Sequence, residues 1–519
     1  MRGLASLVSL AIVASLAVPA RAPAESTSKS EMLDLIEASL AAGEGFPAQA
    51  MLDRYLEHYP KTPRVAQLEI LTNYFVGNYE AAAQGVINLR KEPRSPTDLG
   101  NLADVIVETY ETTKDYETFR HEGFEVRYSP GEDEILVPYA IDALKAAAET
   151  LEAELGVKMV SPVRLEIYPD ADALATVSTL SVEAIRTTGT IALCKWGRLM
   201  IASPRALMRG YPWLDTIAHE YVHLLLTKAT LDRAPVWVQE GVAKFLETRW
   251  RDGKPAAPLD PASQQLLRAA AEGDELLDFD QLHPSIALLP TQQAAALAFA
   301  QVSSFIEAFY GQYGKKGLQD LLERLGDGED ARKAIARIAG APWKTLEARW
   351  KKGLLEEQDS PAARLLPRYL SGEATDQDEV AGVEAERARK LVRLGDLLWT
   401  RSRPAAASVE YGKAHQVAPG DPIVASRYAR SAIAGDRPQD AIAPLLETLK
   451  RYPTHAPALS SLATAQFRTS QFDPARDTAN RAIALNPFDP QPHCILAKLR
   501  LPQSEHEGEL CARLGGMRE

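Results

Sequence analysis

The sequence predicts an α+β domain flanked on both sides by all-α helical repeats. Three observations predict it: a 34-residue recurrence of proline and small residues near the C-terminus, a looser echo near the N-terminus, and alternating strand patterns followed by apolar helical runs between them. At 519 residues, 46% hydrophobic and 25% charged, the chain has material for several cores and is too long for one. Its 58 basic and 70 acidic residues give a formal charge of −12, which excludes general attraction to nucleic acid or an anionic membrane.

Residues 1–24 have the pattern of a secretory signal peptide. Arg2 precedes an apolar run from Leu4 to Val18, and Ala20-Arg21-Ala22 or Ala22-Pro23-Ala24 supplies the small-x-small cleavage site. The run is shorter than the about 20 apolar residues of a spanning helix. The expectation is an exported chain, periplasmic or secreted, without stable membrane insertion after cleavage; the alternative is an uncleaved N-terminal anchor. Of the three cysteines, Cys494 and Cys511 can pair and leave Cys194 alone, or all three serve as small buried apolar residues.

Residues 27–117 carry the looser repeat. Ala48 and Ala82 are 34 apart, Pro60 and Pro93 are 33 apart, and Gly77-Asn78-Tyr79-Glu80-Ala81 has the composition of a turn between two helices. An ordinary helical bundle is the alternative.

Residues 118–357 change character. Phe124–Tyr128 and Val163–Tyr168 alternate as half-buried strands, with a helical stretch around Tyr139–Leu155 between them. Gly189–Cys194 and Arg198–Ser203 form a hairpin turning near Trp196-Gly197, and from Trp213 onward the pattern is mostly helical. Residues 358–385, polar from Ser371 on, look like a linker. In 386–519, Pro419, Pro453 and Pro487 recur every 34 residues, as do Ala407, Ala441 and Ala475. Asp489–Leu501 is expected to cap the stack, and the last residues look polar and loose. The period and the small-residue pattern resemble the tetratricopeptide repeat.

The chemistry concentrates in Asp215-Thr216-Ile217-Ala218-His219-Glu220-Tyr221-Val222-His223, a His-Glu-x-x-His pentapeptide inside an apolar helical run. His219 and His223 leave one helix face a turn apart, close enough to share one zinc ion, and Glu220 can sit beside the metal's water as general base. Seventeen residues on, Glu240 lies in Trp237-Val238-Gln239-Glu240-Gly241, where an antiparallel return helix brings it over the histidines as a third ligand. Three protein ligands and an open position characterise catalytic zinc, whereas structural zinc usually has four. A pair of hydrogen-bonded core histidines, the plainer reading, leaves Glu240 unexplained.

His-Glu-x-x-His followed by Trp-x-x-Glu-Gly resembles the gluzincin metallopeptidases, and especially the peptidase-MA-like proteins that carry tetratricopeptide repeats. The resemblance implies an α+β zincin-like domain, His219, His223 and Glu240 as Zn2+ ligands, Glu220 as catalytic base, and a peptide lying extended along the strand before the motif helix. Two departures stand out. The carboxylate that such sites often carry four residues after the glutamate ligand is Lys244 here, leaving Asp215 or Glu247 to hold a ligand histidine. A tyrosine that steadies the oxyanion in aminopeptidase-like relatives is matched by Phe299, with His283, Tyr310 or Tyr313 as substitutes. The sequence thus points to an exported zinc metallopeptidase, endopeptidase rather than exopeptidase, with repeats recruiting protein or peptide substrates or a protein partner. The alternative is a weak or inactive peptidase-like adaptor.

Overall fold

The computed structural model describes residues 28–91, 99–251, 259–356, 361–499 and 504–516, so the signal-peptide segment lies outside the described residues. Five helices open the fold: Lys29–Ala41, Gly45–His58, Pro63–Val76, Tyr79–Lys91 and Leu102–Thr113. They pack as successive antiparallel hairpins around Ile36, Leu52, Tyr55 and Leu68, then Tyr74, Ala82 and Ile106. The turn between the third and fourth helices needs Gly77, whose φ of 87° is left-handed.

A five-stranded sheet follows: β1 (Glu117–His121), β2 (Phe124–Tyr128), β3 (Val163–Tyr168), β4 (Ala192–Lys195) and β5 (Arg198–Ala202), in the order β1-β2-β3-β5-β4. β2, β3 and β5 are parallel, while β1 and β4 run antiparallel at the edges. β1 escapes sequence analysis because every one of its residues is exposed and no alternation marks it. The expectation for Val163–Tyr168 also needs correction. All six residues are buried, Arg164 and Glu166 included, because the N-terminal helices cover the face that alternation assigns to water.

That covered face holds a charge cluster. Glu166 pairs with Arg198 Nε at 3.2 Å and Arg127 Nη1 at 3.8 Å, and accepts hydrogen bonds from the Tyr79 and Tyr168 hydroxyls. Arg164 donates to the Phe75 carbonyl, and the Arg198 guanidinium lies over the Tyr74, Tyr79 and Trp196 rings. The sheet and the first repeats are thereby joined by desolvated charges rather than by a flexible linker.

Beyond β5 the chain is helical, with Trp213–Thr230, Val236–Leu246 and the stretch Gln292–Gly326, broken into two helices at Gly314, sharing one core with the sheet. The segment expected as a linker is built into the fold. Met208 N–H donates to the Tyr369 carbonyl and Ser371 N–H to the Ala206 carbonyl, Gln292 bonds both the N–H and the carbonyl of Arg368, and Asp376–Ala381 is a helix with Val380 buried.

The C-terminal hairpins pair Glu386–Thr400 with Pro404–Val417, Pro422–Ala434 with Gln439–Arg451, and Ala456–Arg468 with Phe472–Ile483. The recurrent small residues sit at the crossings: Ala407, Ala441 and Ala475 are fully buried, and a Cβ on Gly395 would lie 2.5 Å from the Tyr411 ring. Tetratricopeptide-like repeats thus form this end. The end cap differs from expectation, comprising Pro490–Lys498 and a second helix, Ser504–Gly516, where loose residues were expected. Cys494 and Cys511 form a disulfide between the two, Leu510 and Leu514 enter the central core, and Glu507 bonds His493 Nδ1 at 2.6 Å. Cys194 is free and half-buried in β4.

Candidate metal centre

The motif helix Trp213–Thr230 is apolar nearly all round because it runs through the core, under β4 and β5 and against Val236–Leu246. It ends where Leu231 and Asp232 both take left-handed φ values, 52° and 60°, which reverse the chain. Pro235 precedes the return helix. A Cβ on Gly241 would lie 2.7 Å from the Ile306 side chain and 2.8 Å from the Val302 carbonyl oxygen, so glycine is what lets this helix settle against Gln292–Gly326. Glu240, the preceding residue, is thereby set over the histidines.

His223 Nε2 and His219 Nε2 lie 3.2 Å apart, and Glu240 Oε2 is 3.4 Å from each. Their ligand atoms all fall within 4.8 Å of one another. Burial pushes the Glu240 carboxyl up, but the attraction of His223 and His219 outweighs it and holds the group well below the usual carboxylate range. Burial disfavours the charged form of His219, while hydrogen bonds to Glu240 and Glu247 raise its pKa to about 10. Burial pushes Glu220 up to about 7 against the pull of both histidines. Its Oε2 is buried without a hydrogen-bond partner among the described residues. Two imidazoles, a carboxylate and an unspent buried carboxylate oxygen beside them form a donor set that fits zinc with an open position.

The structure chooses between the two outer carboxylates. Glu247 Oε2 accepts from His219 Nδ1 at 3.1 Å, while its Oε1 is held by Lys244 Nζ at 2.5 Å. Lys244 therefore steadies the carboxylate that holds the His219 ring, in place of providing one. Asp215 instead accepts from Arg251 Nε at 2.9 Å, Arg251 Nη2 at 2.7 Å and Trp250 Nε1 at 3.0 Å. Glu247→Gln is expected to weaken zinc affinity by about 10- to 100-fold, read by competition with a chelator, whereas Asp215→Asn should leave that affinity unchanged.

The Phe299 ring lies 6.2 Å from that of His219 in an edge-to-face arrangement. Of the substitutes, Tyr310 is committed to Glu154 and Arg249, and Tyr313 packs on Phe309. Only His283 lines the same cleft. This cleft, about 1270 Å³, is walled by β4, the motif helix, residues 364–369 and the repeat loop Arg451–Pro457. The last two walls were not legible in the sequence. Repeat loops carry no chemical signature of what they face.

Residues 143–356 match the Peptidase MA superfamily. The matched stretch contains the whole candidate centre and most of the sheet. The chain also resembles yeast LTA4 hydrolase at 10% identity, TM-score 0.33, over 77% of this chain and 66% of that one. Other likenesses are to the first TPR of Spaghetti (RPAP3) bound to an HSP90 peptide, at 18% identity, TM-score 0.22, over 22% of this chain and 93% of that one, and to the APC/C hetero-tetramer Cut9-Hcn1, at 11% identity, TM-score 0.22, over 94% and 90%. No curated protein matches. The stretch similar to the Peptidase MA superfamily thus lies between the N-terminal helical hairpins and the C-terminal tetratricopeptide-like repeats.

Proposed function

We propose that this protein is an exported zinc metallopeptidase of the gluzincin type that cuts within protein or peptide chains. The observation that carries the reading is the convergence of His219, His223 and Glu240 within 4.8 Å, with Glu220 in the same cleft and in the field of both histidines. A bound zinc ion would supply an acidified water and a Lewis acid for the scissile carbonyl. Glu220 takes the proton of the attacking water and returns it to the leaving amine nitrogen. Glu247 orients His219 through Nδ1, and β4, an edge strand, offers its free side to an extended substrate backbone. The repeats contribute a cleft wall through Arg451–Pro457 as well as any recruiting surface. Export is supported by the apolar run from Leu4 to Val18 and by the Cys494–Cys511 disulfide, which suits an oxidising compartment. No helix among the described residues is long and apolar enough to cross a membrane.

Elemental analysis of the full mature chain tests the centre. About one zinc per molecule is expected, and none in His219→Ala; a zinc content that His219→Ala does not change would sink the assignment. A second reading, a weak or inactive adaptor, is favoured by Phe299 against His219 in place of a hydroxyl donor. It predicts bound zinc with no hydrolysis of a broad peptide library.

A further inference from the structure

Most cations of the cleft are already neutralised. Arg209 pairs with Asp376 and Glu379, Arg364 with Asp421, Lys244 with Glu247, and Arg451 with Glu447, while Arg233 donates to the Gly326 carbonyl. Lys195 and Arg368 differ. Among the described residues neither side chain makes a hydrogen bond or has a carboxylate oxygen within 4.0 Å, and both are exposed to solvent through the cleft. Lys195 is the last residue of β4, its ammonium 5.1 Å from the Trp196 ring. Arg368 stands at the opposite end of the same edge. A Cβ on Gly189 would lie 3.6 Å from its Cδ, and Gln292 fixes its backbone on both sides, accepting from its N–H at 3.0 Å and donating to its carbonyl at 3.1 Å.

Lys195 at one end of β4 and Arg368 beside Gly189 before its other end line the same cleft as His219, His223 and Glu240. Gly189 to Lys195 spans six residue steps, of which Ala192–Lys195 are extended as β4, so the two cations are at most about 20 Å apart along this edge. A polypeptide paired along β4 would run between the two cations with its central bond near the metal.

We propose that Lys195 and Arg368 anchor acidic side chains of an extended polypeptide substrate, one on each side of the bond to be cut. This rests on the peptidase reading and adds a substrate class to it. A chain of net charge −12 repels acidic polypeptides in general, so two open cations inside the cleft confer a preference that the rest of the surface opposes. The carboxylates replace water on the two cations with charge-assisted hydrogen bonds.

Two pools of ten-residue peptides test this, each randomised at its central four positions, one with glutamate and one with glutamine fixed at positions 3 and 8. Retention is measured by mass spectrometry on the zinc-loaded full mature chain carrying Glu220→Gln, so that binding is read without turnover. The glutamate pool should be retained about tenfold better. The preference should shrink in Lys195→Gln and in Arg368→Gln and vanish in the double variant. Equal retention of both pools, no retention of either, or a preference that survives the double substitution overturns the proposal. Retention of the glutamate pool by a protein whose Glu220 form cuts neither pool upholds the anchors and removes the peptidase reading instead.

Discussion

Glu220→Gln is expected to keep its zinc and lose hydrolysis by about 100- to 10,000-fold, the usual worth of a positioned general base. Glutamine has the same size and polarity, so the buried pocket around residue 220 stays filled. What disappears is the ability to take a proton from the attacking water and return it to the leaving amine. Glu220 is suited to that task because it is buried beside both histidines, and burial pushes its carboxyl up from the ordinary value. The check is paired: turnover of a quenched peptide library, and zinc per molecule for the same preparation. Loss of turnover with zinc retained assigns the proton transfer to Glu220. Equal turnover in the two proteins would remove Glu220 from the chemistry, and loss of zinc would make it structural.

Glu166→Gln should be the most damaging substitution away from the cleft. Glu166 is fully buried and is the counter-charge of Arg127 and Arg198, with Arg164 close by, where the N-terminal repeats meet the sheet. Neutralising it leaves buried guanidiniums uncompensated, a loss of about 3–5 kcal/mol in comparable buried networks. Urea unfolding should show the lower midpoint, and limited proteolysis should release residues 28–113 earlier. An unchanged midpoint would mean that the tyrosine rings and backbone carbonyls around the arginines suffice. The acid limb carries a second signature. Burial pushes the Glu166 carboxyl up, but the three arginines and the Tyr168 hydroxyl outweigh it and hold it below its ordinary 4.5. A depressed carboxyl adds stability that is present above the unfolded-state value and lost as pH falls through the folded one. Stability should therefore drop below about pH 4.5 more steeply in the native chain than in Glu166→Gln.

Much of the architecture was legible because it repeats or because chemistry demands it. A 34-residue step in small residues follows from helix hairpins that must approach closely, and Ala407, Ala441 and Ala475 are buried at those crossings. Helical spacing put His219 and His223 on one face, and Glu240 lies where an antiparallel return helix would bring it. Elements without such a constraint were silent or misleading. β1 is exposed throughout, and the alternation of Val163–Tyr168 records residue types without saying what covers them.

Local periodicity and side-chain chemistry, which the sequence carries whole, determined the layout of an α+β domain between repeats and the three residues able to hold a metal. Only the tertiary structure decided which carboxylate serves His219. Glu247 and Asp215 are equivalent candidates along the chain, and the path after Leu246 brings one to the imidazole and ties the other to Arg251. It likewise decided that the loop Arg451–Pro457 and the segment around Arg368 wall the cleft, that Cys494 meets Cys511, and that Lys195 and Arg368 stand open within it. These are relations between residues far apart in sequence, set by packing, and no local pattern encodes them.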